Sequence, residues 1–159
     1  MESINPLIVC DTMNLWIDTM RNDLDELLNK VNVLLVNESE AELLTGYEKI
    51  SSAAKVIHES GPEYVIIKQG GSGSTFFSKD ENFHVKVFPI SRLADPTGAG
   101  DSFGGGLMAA LSNGYSLKEG VIWGNAAASF CVEGFGLEGL ERMTKELFKE
   151  RVEVIRSSI

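Results

Sequence analysis

The stretch Arg92–Gly106, RLADPTGAGDSFGGG, sets two aspartates and closely spaced glycines where a strand-like pattern gives way to a helix-like one. A helix start leaves its first amide N–H groups unpaired and carries the positive end of the helix dipole, so it favours a phosphate or a developing oxyanion. Gly98 and Gly100 let the backbone come close to such a group. Close strand-to-helix packing explains glycines at such a turn equally well. Asp101 separates the two explanations. A carboxylate beside a phosphate pocket repels the ligand unless it does chemistry, and the chemistry that suits it is general base. It takes a hydroxyl proton while the amides stabilise the charge on a transferring phosphoryl group. Two rival phosphate patterns are absent: there is no G-x-x-x-x-G-K-[ST], and GAGDSF places Phe103 where a dinucleotide fingerprint needs its third glycine.

The segment DPTGAGDSFGGG, residues 95–106, resembles the C-terminal signature of the ribokinase/PfkB family of carbohydrate and nucleoside kinases. The resemblance implies that Asp101 is the catalytic base and that the amides of Gly98, Ala99 and Gly100 form an anion hole for the transferred phosphate. Asp95 and Thr97 resemble positions that hold a monovalent cation such as K+ behind that hole, although Asp95 capping the turn accounts for it as well.

Three further segments extend the resemblance. In VNESEAELLTG, Asn37 and Glu40 match an N-x-x-E motif that organises Mg2+ and nucleotide phosphates through water. The same spacing is a helix-capping box, so capping and metal organisation are both open at this point. In IIKQGGSGSTFF, Gly70 and Gly73 match a strand-plus-turn that lies against ATP, and Lys68 can reach a phosphate oxygen, although a strand-end lysine is ordinarily a solvated residue. In WGNAAASFCVEGFG, Asn125 matches a position near the adenine, and Ala126, Ala127 and Ala128 would let a flat base approach the helix, or serve plain helix packing. His58 and His84 have no neighbouring pattern of a triad or metal site, and neither is assigned a role.

The elements that must position these residues follow from hydrophobic period. PLIVCDT and VNVLLVN are apolar, strand-like runs, and RNDLDELLNK between them has helical spacing at Leu24, Leu27 and Leu28. Helices are expected over SEAELLTG and SAAKVIHES, a strand over YVIIKQG, and a hairpin of TFFS and FHVKVF across KDEN. Beyond Gly98 the pattern is helical, ending in a helix with Met143, Leu147, Phe148, Val152 and Ile155 on one face. The expected fold is a three-layer, ribokinase-like α/β fold with a mostly parallel sheet and an antiparallel edge.

With 159 residues, 43% hydrophobic and 23% charged, the chain is long enough for one compact core. A formal charge of −9 argues against a nucleic-acid binder and implies that a divalent cation bridges the chain to a polyphosphate such as ATP. Cys10 and Cys131 lack metal-ligand spacing and read as reduced thiols, and no segment resembles a signal peptide or membrane span, so the expected setting is the cytoplasm.

Residues 1–159 thus correspond to the C-terminal, nucleotide-binding part of such a kinase, without the N-terminal strands, the lid and most of the acceptor contacts. On the strand corresponding to VCDTMNLW, Asn14 can be matched to a family Asp-x-Asn-x-Arg segment, Asp11 is out of register and Trp16 takes the arginine position. The expected ligands are ATP with Mg2+ and a sugar or nucleoside alcohol, with little transfer by the chain alone. A sheet cut through its middle leaves an edge and an apolar face open, so the chain is expected to dimerise or to pair with the missing half. A noncatalytic nucleotide-binding or interaction module is the alternative.

Overall fold

The computed structural model describes residues 6–159. In chain order the elements are β1 (Val9–Asp11), α1 (Asn14–Thr19), α2 (Arg21–Leu28), β2 (Val33–Asn37), α3 (Glu38–Thr45), α4 (Ile50–Glu59), β3 (Tyr64–Lys68), a 3-10 turn (Gly70–Ser72), β4 (Ser74–Phe77), β5 (Asn82–Val85), α5 (Ala99–Ser112), α6 (Leu117–Cys131), α7 (Glu138–Glu141) and α8 (Lys145–Arg156). The strands form a five-stranded sheet in the order β1-β2-β3-β4-β5. This is the α/β architecture expected. The chain divides into two compact units, one running to Gln69 and including Thr75–Phe83, the other made of Gly70–Ser74 and His84–Ile159.

In the first unit β1 and β3 run parallel to β2, with Val9 opposite Val33 and Val33 opposite Tyr64, through to Asn37 opposite Lys68. Leu34, Val36, Val65 and Ile67 face a core completed by Leu24, Leu28, Leu44 and Ile57 of the helices. Val33, Leu35 and Ile66, on the opposite face, are equally buried. That is why these strands read as unbroken apolar runs: a parallel strand is buried on both faces, and alternation disappears. The hairpin turn between β4 and β5 is closed by Ser78 N–H donating to the Glu81 carbonyl, 2.9 Å, with Phe76 and Phe83 stacked 4.7 Å apart.

In the second unit α5 and α6 approach closely enough that a methyl group on Gly106 would lie 2.6 Å from the Trp123 carbonyl oxygen, and one on Gly124 would lie 2.9 Å from the Phe103 ring. Ala126 and Ala127 are buried, and Ala127 Cβ is among the atoms nearest to Gly106. These alanines are therefore explained by helix packing.

Several boundaries differ from the sequence reading. β1 stops at Asp11, and Asn14–Thr19 is helical, so Asn14 and Trp16 lie on a helix and not on the expected strand. Ile17 is the buried residue of α1, and one anchoring side chain in six is too weak a period to show in sequence. β5 ends at Val85, short of Phe88. Thr144 caps α8, receiving the Leu147 N–H at 3.2 Å, which leaves Met143 outside the helix and Leu147 exposed. Among the described residues no helix is long and apolar enough to cross a membrane.

Candidate active site

In the second unit the segment before α5 is anchored to the end of α6. Ala94 and Asp95 N–H both donate to the Val132 carbonyl, at 2.8 and 3.3 Å. Thr97 N–H donates to Asp95 Oδ1 at 2.9 Å, and the Cys131 thiol donates to the Thr97 carbonyl at 3.3 Å. In a trans peptide the carbonyl and the following N–H point in opposite directions. With the Thr97 carbonyl held toward buried Cys131, the Gly98 N–H points away from it. Gly98 caps the helix at φ +80°, a left-handed conformation that a side chain disfavours.

Among the described residues the N–H groups of Gly98, Gly100 and Asp101 have no hydrogen-bond partner. The Ala99 N–H donates to the Pro96 carbonyl at 3.2 Å, which corrects its expected place among the free amides. A tight turn must satisfy one of its own donors, and here it is this one. Asp101 is exposed in the first turn of α5, and among the described residues its carboxylate has no partner. The turn thus offers unpaired amides and a free carboxylate together, which suits an anion and a proton acceptor.

Asp95 and Thr97 shape this turn. The Thr97 N–H and hydroxyl hold the Asp95 carboxyl below the usual carboxylate range, and the Thr97 carbonyl is taken by Cys131. Asn125 is buried and donates from its amide nitrogen to Ser74 Oγ, 2.7 Å, and to the Val121 carbonyl, 3.0 Å, so it ties α6 to Ser74. Gly73 has a packing reason, since a methyl there would lie 2.1 Å from the Val85 carbonyl. Gly70 opens the 3-10 turn with nothing within 4 Å of the position a side chain would take, leaving its backbone approachable.

In the first unit the carboxyl ends of the parallel strands gather Asp11, Asn37 and Lys68, the edge at which α/β sheets bind ligands. Asn37 caps α3: its Oδ1 accepts the Glu40 N–H and its own N–H donates to Glu40 Oε2, both at 2.8 Å. This is the capping box, and it leaves Glu40 Oε1 without a hydrogen-bond partner among the described residues. Burial pushes the Glu40 carboxyl up; the Asn37 N–H and the Lys68 charge pull it back in part. The Lys68 ammonium lies against both oxygens of Asp11, at 2.8 and 2.7 Å. Asp11, named in the sequence only as out of register with a family segment, sits at the end of an apolar run on the ligand-binding edge of a parallel sheet, and that place was the usable signal.

The model of the pfkB family carbohydrate kinases matches residues 3–141. A ribokinase of Arabidopsis thaliana is 36% identical over 115 residues, covering 69% of this chain and 30% of that protein. A cytidine kinase of Thermococcus kodakarensis is 34% identical over 119 residues, 73% of this chain and 42% of that protein. A chain from E. coli solved in complex with ATP and Mg2+ superposes with a TM-score of 0.77 at 29% identity, covering 96% of this chain and 49% of that one. The chain therefore spans less than half the length of each of these relatives.

Proposed function

Because the chain belongs to the pfkB family of carbohydrate kinases, we propose that it carries the nucleotide-binding part of a phosphotransferase that moves the γ-phosphoryl group of ATP to an alcohol of a sugar or nucleoside. The observation that carries this reading is the turn before α5, where the unpaired amides of Gly98 and Gly100 adjoin the free carboxylate of Asp101. The amides offset charge that builds on the phosphoryl oxygens, and Asp101 removes the hydroxyl proton of the acceptor. The exposed backbone at Gly70 is the further group assigned to the nucleotide.

The donors present fit a magnesium ion that arrives with the nucleotide. Among the described residues no group of three or more His, Cys, Asp or Glu side chains could cage a metal, whereas Glu40 keeps one carboxylate oxygen free. Mg2+ suits this pattern because it retains water and is held by one or two carboxylates together with phosphates. When bound, the ion supplies charge neutralisation at the phosphates. For K+, the groups of Asp95 and Thr97 named in the sequence are engaged in the turn, and they are read as shaping it.

A loose phosphoryl-transfer transition state makes positioning the larger part of catalysis. The 159-residue chain therefore binds Mg-ATP weakly and transfers little. Calorimetry with ATP and Mg2+, followed by a panel of sugars and nucleosides, tests this. No nucleotide binding would refute the assignment, and efficient transfer would refute the claim that the chain is poorly active alone.

A second reading is supported by one observation. Among the described residues β1 is an edge strand, and Leu7, Ile8, Met13, Leu15 and Trp16 around it are exposed. Such an edge suits a module that pairs with a second copy of the chain. Nucleotide binding without any transfer, in a chain that sediments as a dimer, would favour this reading.

A further inference from the structure

Asp11 lies opposite Leu35, and Lys68 opposite Asn37, so the two sit two residues apart along β2 and share one face of the sheet. With the strand order β1-β2-β3, the Lys68 side chain reaches across the end of β2 to contact both Asp11 oxygens, at 2.8 and 2.7 Å. The side chains are 16% and 32% exposed, so the pair is only partly screened by water. Glu40 is at the same strand end, 7% exposed, with Oε2 held by the Asn37 N–H and Oε1 without a partner among the described residues. Lys68 and Asp11 act on the Glu40 charge with opposite signs. One ammonium therefore has two carboxylates in its electrostatic range, and its hydrogen bonds go to Asp11.

A lysine ammonium is a compact charge with three donors and competes directly for a carboxylate oxygen. A magnesium ion that keeps its water shell competes poorly against such a contact. We propose that Asp11 is a positioning residue: by holding the Lys68 ammonium, it keeps the free oxygen of Glu40 open to the hydrated divalent cation that accompanies the nucleotide. This rests on the reading of Glu40 given above. Removal of the Asp11 charge lets the ammonium turn to Glu40, and the chain loses its preference for metal-bound nucleotide without losing its fold.

The test is the ratio of ATP dissociation constants without and with Mg2+, measured by calorimetry on the purified chain and its variants. A general loss of structure scales both constants and leaves the ratio unchanged. The expected results are a reduced ratio for Glu40→Gln, a reduction of about fivefold for Asp11→Asn, and a return to within about twofold of the parent for Asp11→Asn combined with Lys68→Met. If Glu40→Gln lowers the ratio but Asp11→Asn does not, or if the double variant stays low, the role of Asp11 is wrong. If Glu40→Gln leaves the ratio unchanged, or the parent chain shows no dependence on Mg2+, the reading of Glu40 itself fails and this inference falls with it.

Discussion

Three glycines of one helix segment should respond to the same substitution with different signs. Gly98 holds φ +80°, and a methyl group there would meet Cys131 Sγ at 3.6 Å, an ordinary contact. Gly98→Ala therefore costs only the left-handed conformation, about 1–2 kcal/mol. Gly105 lies on the exposed side of α5 with nothing within 4 Å of the added carbon, so Gly105→Ala stabilises by about 0.5–1 kcal/mol through backbone entropy. Gly106→Ala would place its methyl 2.6 Å from the Trp123 carbonyl oxygen, and forcing α5 and α6 apart costs about 1–3 kcal/mol. For a chain of this length each kcal/mol moves the midpoint by about 2–4 °C. Thermal unfolding followed by circular dichroism should then show Gly105→Ala melting above the parent, and Gly98→Ala and Gly106→Ala below it. Nucleotide affinity separates the last two. Gly98→Ala can relieve its strain only by turning the Thr97–Gly98 peptide, which removes an outward N–H, whereas Gly106→Ala leaves the turn alone. Gly98→Ala melting at or above the parent, or weakening ATP no more than Gly106→Ala, would refute the account of this turn.

Asp101→Asn removes a like charge from the phosphate-binding turn, so ATP binding should strengthen by about two- to fivefold while any transfer disappears; unchanged transfer in a radiolabelled assay would exclude Asp101 as the base. Burial raises the Glu40 carboxyl, so the native state binds that proton more tightly than the unfolded chain, and ionising Glu40 at neutral pH costs stability. Glu40→Gln should accordingly melt later than the parent at neutral pH, with the gap closing as pH falls through the carboxylate range; a gap that widens toward acid would contradict this sign. Trp16→Glu places a charge on the exposed apolar surface that α1 presents near β1 and should shift the sedimentation coefficient toward the monomer, whereas a parent chain that is already monomeric at high concentration would remove the case for pairing.

Local features were legible in the sequence because their partners are close along the chain. The Asn37–Glu40 capping box and the start of α5 at the Gly-rich turn each depend on residues within one helical turn of each other. Runs such as VLLVN and YVIIK announced strands buried on both faces. α1 was not legible, since only Ile17 of its residues is buried.

The α/β class was thus legible in hydrophobic spacing, and the family in the resemblance carried by residues 95–106, neither of which needs a third dimension. Tertiary structure decided which groups remain available. Lys68 is committed to Asp11 across 57 positions, Asn125 to Ser74 across 51, and Cys131 to the Thr97 carbonyl across 34. The physical reason is that a hydrogen bond depends on distance in space, and only folding brings such separated donors and acceptors within reach of each other.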